Sequence, residues 1–315
     1  MITPSPTEVR RIRRSLGLGL ALLTAVGLSG AVADSPTPTP AELGAHARSV
    51  LHQIMASEQS WVRIHAAEAL IAAGEADAIR AYFLRELPRT ESAVFRIGVY
   101  RVLATVSHSP EERSAWIAKV ERVYLDPAAP DQNQAIETLC KLGHRVRGPT
   151  LELVRHRMAG PPSVPMALAL WSATLAGEPH ALEGLAQLLA AQDPDLRSDA
   201  AYALRWLHLS DPAMRQALVR AAAVEPAGTR AYPFILGAAL TVDADPAQAK
   251  DWVTKLDQVL ATGATDARFE ASWTLKYRYQ ATDLPRLAPL LDLPATENDT
   301  RIGAAAIILT TLARR

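Results

Sequence analysis

One phrase recurs along this chain and constrains the fold more than anything else in it. It reads Val62-Arg63-Ile64-His65-Ala66-Ala67-Glu68-Ala69-Leu70 and returns as Phe95-Arg96-Ile97-Gly98-Val99-Tyr100-Arg101-Val102-Leu103. Further copies are Leu196–Leu204, Ala267–Leu275 and Thr300–Ile308, with weaker ones at Gln132–Leu139, Val164–Trp171 and Arg230–Leu240. With Leu70, Leu103, Leu139, Leu170, Leu204, Leu240, Leu275 and Leu309 as anchors, the step is 31–36 residues, a period typical of helical repeats. Within each copy apolar residues fall at i, i+4, i+7 and i+8, which lays them on one face of a helix. Small residues on that face let neighbouring helices approach closely.

Between the phrases lies a second set of amphipathic segments: 76–86, 111–124, 149–158, 179–190, 212–223, 246–260 and 284–291. Many open at a proline, which the first helical turn tolerates because its N–H has no intrahelical partner. Asp126-Pro127, Asp193-Pro194, Asp211-Pro212 and Gly74 mark the turns. Alanine and leucine are abundant and period-2 β-branched runs are scarce, so the chain is expected to be all-α. Of its 315 residues 49% are hydrophobic, ample for a sizeable core.

Asp193-Pro194-Asp195-Leu196-Arg197, followed by Ala200-Ala201-Tyr202-Ala203-Leu204, resembles the second helix of HEAT and HEAT-like repeats of the phycobilisome-lyase type. The other copies fit less closely, and those at Val164 and Arg230 carry Pro165 and Pro233. The resemblance covers nearly all of the chain after residue 45. It implies a right-handed α-α superhelix, a HEAT-like solenoid of about 7–8 helix pairs. It also implies that the second helices line the concave surface. As an indication of function it is weak, because the family spans scaffolds, transport factors and a few enzymes.

The first residues carry a different pattern. Arg10, Arg11, Arg13 and Arg14 precede an apolar stretch from Leu16 to about Gly30, which ends in Ala31-Val32-Ala33 before Asp34. This is the layout of a secretory signal peptide cut after Ala33. The apolar run is shorter than the ~20 residues a spanning helix needs. Arg13-Arg14 also fits a twin-arginine signal loosely, and the general secretory route fits better. The expected organisation is therefore signal peptide 1–33, a Pro/Thr-rich extended leader 34–43 and a solenoid 44–315. The destination is periplasmic or secreted, with no integral membrane segment after cleavage.

Thirty-three Lys plus Arg balance thirty-three Asp plus Glu, which argues against a nucleic-acid partner bound through global charge. Cys140 is the single cysteine, so no intramolecular disulfide or thiolate zinc site can form. It reads as a small buried hydrophobe. His65 and Glu68 stand at the i, i+3 spacing of a ligand pair, but no second pair accompanies them, and neither a metal nor a cofactor is expected. GxSxG, GxxxxGK[ST], HExxH and GxGxxG before a strand are all absent. Asp199 and Glu270 lie two repeats apart, roughly 20 Å at ~10 Å per helix, too wide for a glycosidase pair.

Arg63, Arg96, Arg197, Arg230, Arg268 and Arg301 occupy equivalent repeat positions. They form either a basic stripe for an anionic partner or a ladder joining each Arg to a turn Asp or a helix C-terminal carbonyl. The ladder is the expected use, because in HEAT-like proteins this position is usually structural. Residues two, five and nine positions after each Arg share a face off the apolar one, and the resemblance points that face at the groove. In the early repeats it carries His65, Glu68, Arg101, Gln134, Glu137 and Lys141. In the later ones it carries Asp199, Tyr202, Trp206, Tyr232, Glu270, Trp273 and Tyr277. These last seven are the candidate binding residues, since aligned aromatic groups mark binding surfaces. Three uses remain open for them: stacking on a sugar ring or peptide side chain, cation–π capture of a cationic group, or packing against neighbouring repeats.

The expected function is thus an exported, non-catalytic binding scaffold that holds a protein or polymer partner. An enzyme or lyase-like activity on the same scaffold, or an accessory subunit of an envelope complex, are the alternatives. The last helix, with Ala304, Ala305, Ile307, Ile308 and Leu309, is very apolar for a solenoid end. A partner covering it, or a dimer through it, would account for that.

Overall fold

The computed structural model describes residues 38–93, 95–209, 211–242 and 245–314, which belong to one compact unit. The expected signal peptide, 1–33, and the first four residues of the expected leader, 34–37, lie outside the described residues. The described chain is all-helical. Its helices are α1 (Pro40–Ser57), α2 (Trp61–Ala72), α3 (Ala76–Thr90), α4 (Arg96–Thr105), α5 (Pro110–Leu125) and α6 (Gln132–Lys141). They continue with α7 (Gly148–Met158), α8 (Val164–Ala176), α9 (Ala181–Leu189), α10 (Pro194–Trp206), α11 (Pro212–Val224) and α12 (Ala231–Ala239). The last are α13 (Pro246–Thr262), α14 (Thr265–Leu275), α15 (Ala288–Leu291) and α16 (Asn298–Leu312), with 3-10 turns at Ala281–Leu287 and Ala295–Glu297.

The boundaries follow local chemistry. Helix α1 starts at Pro40, inside the segment expected to be extended leader, because Thr39 and Glu42 form a reciprocal capping box and Pro40 takes the first helical position. Ser109, Ser163, Asp193, Asp211 and Asp245 cap α5, α8, α10, α11 and α13 in the same spirit, each followed by a proline in the first turn or directly at its start. Pro165, which breaks the repeat pattern in sequence, sits in that permissive first turn of α8. Pro179 does not open α9. His180 stands before the helix in the left-handed region at φ 61°, and α9 begins at Ala181.

The even-numbered helices are the recurring phrases, and they form the inner layer. Each packs on the next, from α2 through α4, α6, α8, α10, α12 and α14 to α16. Helix α16 then packs on α1 and α2, so the circuit of inner helices closes. The odd-numbered helices lie outside it and touch mainly their own inner partners. Closure explains the apolar last helix. Ile302, Ala304, Ala305, Ile307, Ile308 and Leu309 are all buried within the chain itself, so the surface on which a dimer or a covering partner was expected is not exposed. The seam adds polar contacts: Asn298 Nδ2 donates to Glu58 Oε1 at 2.8 Å, His46 pairs with Asp292 at 2.9 Å and His65 with Asp299 at 3.0 Å.

Close packing in the inner layer depends on small residues. A Cβ on Gly303 of α16 would lie 2.0 Å from Ser272 Oγ and 2.5 Å from Ser272 Cβ of α14. The repeated arginines serve as the ladder. Arg96 forks onto Asp131 at 2.8 and 2.9 Å, and Arg197 forks onto Glu225 at 2.8 Å while also donating to Ala191 O and Gln192 O. Arg268 donates to Leu260 O and Arg301 to Leu291 O, both at 2.9 Å, and Arg230 reaches Asp195 at 3.2 Å. These side chains tie an inner helix to the end of the preceding outer helix or to a neighbouring repeat, and the bidentate geometry suits Arg rather than Lys.

Candidate functional site in the lumen

Closing the inner circuit turns a concave face into a lumen. Its centre is a cavity of about 300 Å³ lined from α2 by His65 and Glu68, from α4 by Arg101, from α6 by Glu137 and Lys141, from α10 by Tyr202 and Trp206, and from α14 by Phe269, Glu270 and Trp273. Helices α8 and α12 contribute no lining there. Trp171 of α8 is fully buried behind the wall, with Tyr202 edge-on to it at 5.8 Å and Trp206 tilted at 6.2 Å.

Two larger cavities continue from this centre. At the C-terminal ends of α10, α12 and α14 a mouth of about 510 Å³ shares Trp206 and Trp273 with the centre and adds Arg205, His208, Gly237, Thr241, Thr274, Lys276, Tyr277 and Arg278. At the opposite ends a cavity of about 750 Å³ shares His65, Tyr202, Phe269 and Glu270 and adds Tyr232, Lys255 and Asp299. The three spaces span the lumen from one end of the inner helices to the other.

The seven expected binding residues therefore separate. Tyr202, Trp206, Glu270 and Trp273 line the centre, Tyr277 lines the C-terminal mouth and Tyr232 the opposite one. Asp199 is half-buried and lines none of these cavities. Tyr232 and Glu270 are buried, at 9% and 4% exposure, whereas Trp206 and Tyr277 expose 36% and 59%. The face also brings in Glu68, Arg101, Glu137 and Lys141, which the sequence places in the groove without marking them as a site.

Charge in the lumen is mostly paired. Arg101 Nε donates to Glu68 Oε1 at 2.6 Å and Arg101 Nη1 to Thr138 Oγ1 at 3.3 Å. Lys141 pairs with Glu137 at 2.8 Å, and Tyr202 Oη donates to Glu137 Oε1 at 2.7 Å. Arg205 Nη1 donates to Glu270 Oε1. Burial alone would raise the Glu137 carboxyl, but Lys141 and Arg101, with hydrogen bonds from Lys141 and Tyr202, bring it down to about 2. Glu68 is likewise held below its usual range against burial by Arg101, Lys141 and His65. At Glu270 burial outweighs Arg205 and the carboxyl is pushed up. Burial and the Glu137 charge push the Tyr202 phenol well above its ordinary range, so it serves as a donor and not as a base.

The histidine and cysteine have structural surroundings. His65 stacks on Phe269 with ring centroids 4.7 Å apart and pairs with Asp299 rather than with Glu68. Cys140 is buried, and burial pushes its thiol up, which suppresses the reactive thiolate. Among the described residues no three His, Cys, Asp or Glu side chains converge on a common point as metal ligands. No described helix is long and apolar enough to cross a membrane.

The aromatic faces already hold cations of the chain itself. Lys141 lies 5.4 Å from the Tyr202 centroid and 5.8 Å from that of Trp206; Lys276 lies 3.9 Å from Trp273 and 4.9 Å from Tyr277. Arg205 covers Tyr202 at 5.4 Å and Arg314 covers Tyr277 at 5.8 Å. An external cation would meet four like charges at these rings, which disfavours the cation-capture use of Tyr202, Trp206, Trp273 and Tyr277.

No family model, no curated protein and no solved structure matches the chain.

Proposed function

We propose that this protein is an exported, non-catalytic binding protein: a HEAT-like solenoid closed on itself, which takes part of a ligand into the C-terminal mouth of its lumen. The observation that carries this reading is the convergence at that mouth of Trp206 of α10, Trp273 of α14 and Tyr277 of the turn that follows α14. Trp206 and Tyr277 are the large apolar side chains left most open there. Packing alone would favour covering them, since an exposed ring forgoes ~2 kcal/mol of burial.

Closure refines the partner. An open superhelix would lay its concave face along the side of a polymer. A lumen with cavities of about 300 and 510 Å³ instead suits a compact group, such as the end of a chain or a small molecule. Absence of the catalytic motifs, and engagement of the central carboxylates by Arg101, Lys141 and Arg205, support binding over catalysis.

The test is a glycan and small-molecule array probed with the full chain and with the Trp206→Ala/Trp273→Ala double variant, each checked by circular dichroism and melting temperature. Ligands lost by a variant that still folds support the reading. A double variant that keeps every ligand of the parent overturns it. Export is tested separately, by the N-terminal sequence of the protein recovered from its source cells. Asp34 at the terminus is the expected result, and an intact Met1 would overturn it.

A further inference from the structure

Lys276 is a cation of the lumen with no acidic partner among the described residues. Glu68, Glu137 and Glu270 each have one, in Arg101, Lys141 and Arg205. Lys276 instead rests on the Trp273 ring at 3.9 Å and beside Tyr277 at 4.9 Å, and no described carboxylate lies within ion-pair distance of it. Burial, with the Arg205 charge adding to it and Glu68 opposing from further away, brings its ammonium down to about 8. A half-buried ammonium without a counter-charge is costly unless something supplies one.

The surroundings do not supply it. The C-terminal ends of α12 and α14 would present partial negative charge, but arginines occupy the carbonyls there. Arg278 Nη2 donates to Leu240 O at 2.7 Å, and Arg314 donates to Tyr277 O at 2.8 Å and to Lys276 O at 3.0 Å. The mouth is therefore a cavity of about 510 Å³ with Lys276, Arg205, Arg278 and His208 in its lining and no acid among its described residues. Its remaining lining is the aromatic set with the hydroxyls of Thr241 and Thr274.

We propose that this mouth recognises an acidic sugar at the end of a glycan. Lys276 takes the sugar carboxylate, Trp206 and Tyr277 pack against the ring, and Thr241, Thr274 and His208 exchange hydrogen bonds with its hydroxyls. This rests on the binding site argued above and names its ligand class. The positive charges of Lys141, Lys276 and Arg314 beside these rings disfavour a cationic ligand. An acidic peptide is the poorer fit, because its backbone N–H groups need acceptors and the carbonyls of Leu240, Lys276 and Tyr277 are engaged by arginines. A sugar needs an apolar ring platform and hydroxyl partners, which the mouth has.

The experiment is isothermal titration of the full chain with trigalacturonic acid, its methyl ester, maltotriose and triglutamate. Trigalacturonic acid should bind best, and its methyl ester at least tenfold more weakly. Lys276→Met should lose at least tenfold for the acid and little for the ester, whereas Lys276→Arg, which keeps the charge, should retain most of the affinity. Melting temperatures of both variants confirm folding. Equal affinity for acid and ester, an unchanged Lys276→Met, preference for triglutamate, or no binding of trigalacturonic acid would each overturn the proposal. The Trp206→Ala/Trp273→Ala variant separates the two levels. If ester and acid bind alike and both are lost in that variant, the mouth is a binding site and the acidic-sugar assignment fails. If the variant binds the acid as the parent does, the site itself is elsewhere.

Discussion

Replacing Arg101 with methionine tests whether the lumen network holds the repeats together. The Arg101 side chain is 5% exposed and Glu68 24% exposed. The guanidinium bonds Glu68 across α2 and α4, reaches Thr138 on α6 and lies 5.6 Å from the Trp61 ring. Methionine fills much of the same volume, so the loss is mainly electrostatic. Glu68 is left as a half-buried carboxylate with Lys141, already bound to Glu137, as its largest remaining compensation. Breaking a buried pair from one side destabilises by about 3–5 kcal/mol, which for a chain of this size lowers Tm by roughly 10 °C. Arg101→Met/Glu68→Gln removes both charges, and its stability should return to within about 1 kcal/mol of the parent. Urea unfolding followed by tryptophan fluorescence and circular dichroism gives the three free energies and their coupling. The folded-state Glu68 carboxyl lies below its unfolded value of 4.5. Its contribution is therefore present above that value and lost as pH falls, so the gap between Arg101→Met and the parent should narrow below about pH 4.5. A single variant less than about 1 kcal/mol down at pH 7, or a double variant as unstable as the single, would show that the network is solvated and does not hold the repeats.

Gly303→Ala should destabilise despite the ~1 kcal/mol gain in helix propensity, because its methyl would sit 2.5 Å from Ser272 Cβ; overpacking of about 1–3 kcal/mol lowers Tm, and added Ser272→Gly should restore part of it in a thermal melt. Ending the chain after Glu297 removes α16 and bares apolar faces of α1, α2 and α14, so light scattering should report oligomers; a stable monomer would refute closure by α16. Glu137 contributes stability above its unfolded value of 4.5 that is lost as pH falls through its folded value of about 2. Glu137→Gln should therefore flatten the acid limb of the stability curve, and an unchanged limb would count against the half-buried pair with Lys141.

Much of the fold was legible because helix formation is local. The 31–36-residue step of the leucines located every inner helix, and prolines with Asp or Ser before them marked the starts of α5, α8, α10, α11 and α13, since a cap depends on residues within one turn. The same period carried the lining: positions five and nine after each repeat arginine, or after Gln132 in the copy without one, gave Glu68, Glu137, Lys141, Tyr202, Trp206 and Trp273, all of which line the central cavity. The aromatic cluster was weighted in sequence, while the acid–base network was not, since each charge alone reads as a solvated helix face.

What sequence periodicity could not contain was curvature. A repeat fixes the contact of one helix pair with the next, but small rotations at each step add over the whole chain. Only their sum decides whether α16 meets α1 or stops short of it. Closure depends on non-local matches such as Gly44 beside Leu312, Asn298 with Glu58 and His65 with Asp299, partners more than 230 residues apart in sequence. That decided the burial of the apolar last helix and turned a groove into a lumen. It also left Lys276, between the face residues Trp273 and Tyr277 at the end of α14, as an ammonium facing a cavity. The sequence alone determined the helices and the face they present; the tertiary structure decided what that face encloses.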